Sequence, residues 1–225
     1  MGVNTTSRAA RVELERESAP GRLLLSSLPV LARSRRPATY ADVLAAPAHM
    51  IAEVMGGELR LQPRRAAIHS VAASALGEEL GPPFKRGRGG PDGWIILDEP
   101  ELHLGPDICV PDLAGWRRER MPVVPRTTFF TLAPDWIAEV TSPATAKYDR
   151  TDKLQIYARE QVAWVWIVDP QARTLEVLRL GAEGWLLRAS FRDDERVRAE
   201  PFDAVELELA ALWADVEAEP TDPTA

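Results

Sequence analysis

The sequence predicts an α/β domain in which helices flank a mixed central β-sheet. Three observations predict it: two alternating runs joined by Gly56-Gly57, a near-continuous apolar run at residues 162–168, and helical periodicity between the strand-like segments. Alternating runs around Gly-Gly are typical of a β-hairpin, and a continuous apolar run is typical of a strand buried on both faces. The order helix, hairpin, helix, strands, helix, strands fits a sheet covered by helices.

The first part of the chain predicts two helices around an N-terminal hairpin. The predicted elements are a helix at 40–46 capped by Thr39, strands at 50–55 and 58–61, and a helix at 64–80 that Gly81-Pro82-Pro83 ends. Alternation places Glu53 on the same face of its strand as Ile51 and Met55. A carboxylate on an otherwise apolar strand face makes Glu53 a candidate for chemistry.

The second part predicts most of the sheet. Strands are predicted at 94–97, 101–104, 108–115, 136–140, 162–168, 174–180 and 185–192, with helices at 145–160 and 207–216. Pro111 lies inside the segment 108–115, which implies a sheet edge, a bulge or a strand end there. Residues 85–91 form a loop with a basic tip.

Length and charge divide the chain into one domain and two tails. Its 225 residues suit a flexible extension at 1–37, a domain at 38–216 and a disordered tail at 217–225. Seven arginines and three glutamates give residues 1–37 a net charge of +4, which leaves −11 for the rest. An acidic body argues against non-specific wrapping of nucleic acid, although a bound divalent metal can supply positive charge locally.

Several protein classes are poorly supported. The single cysteine, Cys109, lies in an apolar run and is interpreted as a buried small side chain. No apolar run reaches the roughly 20 residues of a membrane helix, and residues 1–31 do not fit a signal peptide. The motifs of zinc sites, serine hydrolases and P-loop proteins are absent. We therefore expect a cytoplasmic protein with no membrane partner.

Two carboxylates stand out because each lies among apolar neighbours in a predicted strand. Asp112 occurs in Val-Pro-Asp-Leu-Ala and Glu139 in Trp-Ile-Ala-Glu-Val. Buried carboxylates are costly, and two in neighbouring strands raise each other's pKa unless a cation lies between them. One hypothesis is a hard divalent metal bound by both side chains. The alternative is that each caps a turn or pairs with an arginine.

Lys153, on the helix after the Glu139 strand, has two interpretations. It lies one turn after Asp149 and one turn before Tyr157, so it is expected at the margin of the buried helix face. It either pairs with Asp149 on the surface or stabilises charge on a transferred phosphoryl group. His69 and the other two histidines are interpreted as structural, and the loop at 85–88 as solvated.

Several motifs together resemble one known family. They are Ala-Glu53-Val-Met-Gly-Gly, Val-Pro-Asp112-Leu-Ala, Ile-Ala-Glu139-Val-Thr-Ser-Pro, Lys153 with Tyr157, and Trp-Val-Trp-Ile-Val-Asp169-Pro. Their order resembles the Uma-two family of restriction-endonuclease-like proteins, within the PD-(D/E)XK nuclease superfamily. The resemblance runs from about Thr39 to Trp213 and so covers most of the chain.

The resemblance implies roles for particular residues. In the superfamily, the acid after proline and the acid of the (D/E)XK strand bind metal, and Asp112 and Glu139 match them. A lysine normally follows two residues later, where this chain has Thr141. In the Uma-like branch a lysine on the next helix takes that role, and Lys153 matches it. Glu53 matches the acid of the family's hairpin.

The implied activity is Mg²⁺- or Mn²⁺-dependent hydrolysis of DNA phosphodiester bonds. Asp112, Glu139, Glu53 and the Val140 carbonyl would hold the metal, while Lys153 would polarise the scissile phosphate or position water. The alternative is a catalytically silent protein that binds DNA or a protein partner through the same cleft. We also expect a homodimer, because cutting both strands needs two copies of a single-site nuclease.

Overall fold

The computed structural model describes residues 36–63, 66–142 and 148–214. Within these ranges the α-helices are α1 (Tyr40–Leu44), α2 (Ala67–Leu80) and α3 (Leu154–Arg159). The strands are β1 (Met50–Met55), β2 (Glu58–Pro63), β3 (Trp94–Asp98), β4 (Leu102–Leu104), β5 (Asp107–Cys109), β6 (Leu113–Arg117), β7 (Trp136–Val140), β8 (Trp164–Asp169), β9 (Thr174–Gly181), β10 (Gly184–Arg192), β11 (Arg196–Val197) and β12 (Leu207–Glu208). No helix in these ranges is both long and apolar enough to cross a membrane.

Six strands form the central sheet, in the order β10-β9-β8-β7-β6-β3. β7 and β8 pair in parallel, and the other neighbours pair in antiparallel fashion. A parallel pair needs a crossover connection, and the helical residues 148–159 lie between these two strands in the chain. The predicted mixed sheet flanked by helices is therefore confirmed.

The N-terminal hairpin belongs to a second sheet, in the order β2-β1-β5-β4. Its turn is Gly56-Gly57, with φ values of +60° and +78°, the backbone conformation that glycine adopts at least cost. Val54 pairs with Ile108, so the hairpin is attached to β5. This pairing brings Glu53 on β1 close to the segment that leads into β6.

The predicted single strand at 108–115 is wrong, because the chain leaves one sheet and enters the other within it. β5 ends at Cys109 and pairs with β1, whereas β6 starts at Leu113 and pairs with β7. Pro111 lies between them and has no N–H to donate to a strand ladder, so the pairing is interrupted there. Asp112 is consequently held at the entry to the central sheet.

All four predicted helices have different bounds in the structure, and three of them also include or become another type of turn. α2 is followed by a π-helical turn at Gly81–Lys85 instead of ending at the prolines. Prolines are tolerated at the start of a helical turn, where an N–H would be unpaired. Before α3 lies a π-helical turn at Asp149–Lys153, and residues 143–147 are outside the described ranges. The last helix is replaced by β12 and a 3₁₀ turn at Leu209–Trp213.

The core lies on both faces of the central sheet. One face packs with α2 around the Phe202 ring, whose centroid is 4.7 Å from Trp94, 4.9 Å from Trp136 and 5.5 Å from Trp166. The opposite face packs with α3 through Tyr157, which is fully buried. Side chains alternate along a strand, so Trp136 and Glu139 lie on opposite faces of β7, with Trp136 on the α2 face and Glu139 facing Tyr157.

The predicted tails fall largely outside the described part of the chain. Residues 1–35 and 215–225 are not among the described residues, so the extension at 1–37 and the tail at 217–225 stay predictions. The elements described from Tyr40 to Trp213 lie within the predicted domain at 38–216.

Replacing Phe202 by alanine should lower the free energy of unfolding by about 3–5 kcal/mol, because it opens a cavity between three tryptophans. Leu187→Ala is the control, since the Leu187 side chain is 60% exposed and its loss should change stability by under about 0.5 kcal/mol. Urea denaturation measures both variants. Equal stability of the two variants would show that Phe202 does not organise this core.

Candidate active site

Asp112 lies where the second sheet joins the central sheet. It is 2% exposed, and its Oδ2 accepts a hydrogen bond of 2.7 Å from the Val140 N–H. The same oxygen is 3.2 Å from Nε2 of His69, in the first turn of α2. The pairing of β6 with β7 ends where Leu113 lies opposite Ala138. Asp112 directly precedes Leu113, and Glu139 directly follows Ala138, so both acidic residues come just after the end of this pairing. The two acidic residues therefore lie at adjoining backbone positions at one end of two neighbouring strands.

Glu139 is fully buried near the end of β7 and has a specific partner for each carboxylate oxygen. The Tyr157 hydroxyl donates to Oε1 at 2.5 Å, and the Lys153 ammonium donates to Oε2 at 3.0 Å. Both partners come from the helical segment that follows the β7 strand. The two hydrogen bonds together fix the orientation of the Glu139 carboxylate.

Lys153 is at the centre of the buried charged groups. Its side chain is 2% exposed, and its Nζ is 3.0 Å from Glu139, 3.3 Å from Glu53 and 3.5 Å from Asp149. Burial alone would lower the pKa of Lys153, but attraction to Glu139, Glu53 and Asp149 holds that pKa well above its usual value. The lysine is therefore a permanent cation at neutral pH.

The position of Lys153 differs from the sequence expectation in two respects. The pair with Asp149 exists, but both side chains are buried and do not lie on the surface. Nor is the lysine at the margin of the helix face, because it reaches fully into the protein. The difference arises because the segment Asp149–Lys153 is a π-helical turn, which rotates its side chains relative to an α-helix.

Glu53 connects the hairpin to this group. Its side chain is almost completely buried, and Oε1 accepts the Val110 N–H at 2.8 Å. Gln62, across the hairpin on β2, donates from Nε2 to Oε2 at 3.0 Å. These bonds hold the Glu53 carboxylate against the backbone two residues before Asp112, which explains a carboxylate on an apolar strand face.

Two neutral groups border the charges. Burial, together with the nearby Glu139, raises the pKa of the Tyr157 hydroxyl well above its usual value, so it remains a hydrogen-bond donor. Burial also raises the pKa of the Cys109 thiol, and Glu53 adds to that effect. A buried thiol with a raised pKa is a poor nucleophile, in agreement with the interpretation of Cys109 as a core side chain.

His69, Asp149 and Tyr157 belong to the site but were not proposed for it from the sequence. The signal for Tyr157 was its position one turn after Lys153 on the buried face of a helix. His69 is beside the apolar stripe of α2, a position typical of a core histidine. It is close to Asp112 in space, although 43 residues separate the two in the sequence. A sequence pattern alone does not connect such distant positions.

A cleft of about 670 Å³ opens beside Asp112 and His69. The cleft runs along α2 to the π-helical turn at Gly81–Lys85. Lys85 and Arg86, from the basic loop, also line it. Acidic side chains line it as well, namely Glu78, Asp98 and Glu99. The cleft thus gives solvent and solutes access to the Asp112 side of the site.

The donor atoms suit a hard divalent cation in kind. Carboxylate oxygens of Asp112, Glu139 and Glu53, with the backbone carbonyl of Val140, are the ligand type that Mg²⁺ and Mn²⁺ prefer. Within the described ranges, however, no three or more histidine, cysteine or acidic side chains are grouped closely enough to hold a metal. The Lys153 ammonium, located between Glu139 and Glu53, is the cation that these two carboxylates contact.

Comparisons with known proteins agree on one family and one fold. The model of the Uma2 family, described as "Putative restriction endonuclease", matches residues 38–211. A solved structure from Anabaena variabilis, "a putative nuclease belonging to DUF820", is 22% identical with a TM-score of 0.64, over 79% of this chain and 98% of that chain. The likeness confirms the predicted restriction-endonuclease-like fold. No curated protein matches the chain.

Replacing Lys153 by methionine should lower the free energy of unfolding by about 3–5 kcal/mol, because it leaves buried carboxylates without their shared cation. Arg150→Met is the matched control in the same π-helical turn, since Arg150 pairs with Glu176 and is 42% exposed. The loss of that surface pair should cost under about 1 kcal/mol. Chemical denaturation measures both, and a Lys153→Met variant as stable as the wild type would contradict the account.

Proposed function

We propose that this protein is a nuclease, because the chain belongs to the Uma2 family of restriction-endonuclease-like proteins. The proposed reaction is divalent-metal-dependent hydrolysis of phosphodiester bonds in DNA. The observation that carries the proposal is the placement of Asp112 and Glu139 at the shared end of β6 and β7, beside a cleft. Two carboxylates on rigid neighbouring strands form a preorganised set of oxygen ligands.

Four groups would hold the metal: the carboxylates of Asp112, Glu139 and Glu53, and the carbonyl of Val140. A bound Mg²⁺ or Mn²⁺ would supply a water of lowered pKa and positive charge at the phosphate. The Val140 N–H fixes Asp112 Oδ2 at 2.7 Å, and the Tyr157 hydroxyl fixes Glu139 Oε1 at 2.5 Å. These bonds keep the two carboxylates oriented without a ligand.

Lys153 has two tasks in this proposal. Its ammonium lies 3.0 Å from Glu139 and 3.3 Å from Glu53, and so orients both carboxylates. A positive charge inside a water-poor site also stabilises negative charge that develops on a phosphoryl group. Thr141, which occupies the superfamily's usual lysine position, is 3% exposed and hydrogen-bonds to the Val168 carbonyl, so it is engaged in the sheet.

His69 would fix the orientation of the Asp112 side chain. A ring nitrogen at 3.2 Å from Oδ2 restricts the rotation of the Asp112 side chain. Partners that orient a metal-binding carboxylate typically influence metal affinity about 10- to 100-fold. His69 is therefore proposed as a positioning residue, and Asp112 as the group that contacts the metal.

A second candidate is a catalytically silent protein that binds DNA or a protein partner through the same cleft. One observation favours it: the ammonium of Lys153 already contacts Glu139, Glu53 and Asp149. An internal cation of this kind stabilises the carboxylates without any metal. The fold is compatible with both functions, because nuclease folds also host proteins of other functions.

Asp112→Asn should reduce Mg²⁺- or Mn²⁺-dependent nicking of supercoiled plasmid DNA by at least about a hundredfold. The change removes a charged ligand and keeps nearly the same shape, so the fold should persist. Asp203→Asn is the control, because Asp203 is exposed on the surface. Nicking by Asp112→Asn at the wild-type rate would contradict the proposal. A wild type that is inactive with both metals would favour the silent protein.

The homodimer expected from the sequence is also a proposal. Each chain has one Asp112–Glu139 site, and the two strands of a duplex are cut by two such sites related by a two-fold axis. Sedimentation velocity should therefore give the mass of two 24.9 kDa chains at micromolar concentration. A single boundary with the mass of one chain would contradict it.

A further inference from the structure

The basic loop after α2 has a defined conformation. The Arg88 N–H donates to the Pro82 carbonyl at 2.8 Å, and the Asp92 N–H donates to the Pro83 carbonyl at 2.9 Å. A Cβ atom on Gly90 would be only 2.4 Å from the Pro83 Cβ, so glycine is required for this close approach. Pro83 and Phe84 are themselves buried in the core. The loop therefore has a fixed conformation and is anchored to the core.

This loop presents three cations to solvent. Arg86 and Arg88 are exposed, and Lys85 is half-buried. In the described part of the chain none of the three forms an ion pair, in contrast with Arg120, which pairs with Asp135, and Arg159, which pairs with Asp107. Neighbouring Arg118 instead supports the loop, since it donates to the Lys85 carbonyl at 3.1 Å.

Two of the three cations lie beside the candidate active site. Lys85 and Arg86 line the same cleft as Asp112 and His69, and the acidic side chains of Glu78, Asp98 and Glu99 line it as well. A phosphate group would be repelled by those carboxylates and attracted by the cations. The chain has a net charge of −7, so within the described residues this local group of cations without ion-pair partners is a favourable place for a polyanion.

From these observations we infer that the basic loop, Lys85–Arg88, is the phosphate-contacting element that seats duplex DNA over the cleft. The inference rests on the proposed nuclease function and adds to it the surface that receives the substrate. Phosphate contacts of this kind fix the position of a duplex without reading its sequence. The loop would thus determine affinity and register, while Asp112 and Glu139 carry the chemistry.

The test is a binding measurement without metal, so that cleavage plays no part. Fluorescence anisotropy of a short labelled duplex in EDTA is followed at salt concentrations between about 50 and 200 mM. The triple variant Lys85→Gln, Arg86→Gln, Arg88→Gln should bind at least about tenfold more weakly for duplexes of any sequence. The slope of log K against log salt should fall by about 2–3, because each phosphate contact contributes nearly one unit.

A matched control separates the effect of the loop on DNA affinity from the effect of a change in net charge. Arg179, Arg188 and Arg192 lie on β9 and β10, at the opposite edge of the central sheet from β3. Their triple replacement by glutamine removes the same charge and should change affinity by less than about twofold. Circular dichroism and thermal melting of both variants establish that each remains folded.

The outcomes separate this inference from the nuclease proposal. Loss of affinity confined to the loop variant supports the inference, even if the wild type cuts no DNA. Equal loss in both triple variants, unchanged binding by the loop variant, or no duplex binding by the wild type overturns it. A loop variant that nicks plasmid with wild-type KM and kcat would overturn the inference while leaving the nuclease proposal intact.

Discussion

The ion-pair group around Lys153 is the interaction on which the rest of the site depends. One ammonium contacts carboxylates from β1, from β7 and from its own helical turn, at 3.0–3.5 Å. Removing one partner of a buried ion pair is strongly destabilising, because the other charges stay behind in a medium of low dielectric. The hairpin, the central sheet and the segment before α3 are therefore held in one arrangement by electrostatics as well as by packing.

The path of the backbone explains how the carboxylates come together. The chain changes sheets at Pro111, so Asp112 enters the central sheet beside the end of β7, where its side chain accepts the Val140 N–H. The parallel pairing of β7 with β8 requires a crossover connection, and the helical residues of that connection carry Lys153 and Tyr157 back to Glu139. A break in one strand and a crossover after another are thus what build the site.

Sequence reasoning predicted the parts of this arrangement that have local signals. The Gly-Gly hairpin, the buried strands and the apolar flanks of Asp112 and Glu139 follow from periodicity, and the structure places both carboxylates at one end of β6 and β7. The environment of Lys153 had no local signal, since spacing from Asp149 is the same for a surface pair and a buried one. The contact of His69 with Asp112 likewise depends on how α2 packs against the sheet.

The central proposal is that Asp112 and Glu139 hold a divalent metal, and a crystal structure of the protein with Mn²⁺ tests it most directly. Anomalous diffraction identifies the ion independently of its surroundings. The account predicts one Mn²⁺ at about 2–2.5 Å from oxygens of Asp112, Glu139 and the Val140 carbonyl. A structure at saturating Mn²⁺ in which no ion contacts these residues, and Lys153 alone neutralises them, would contradict it.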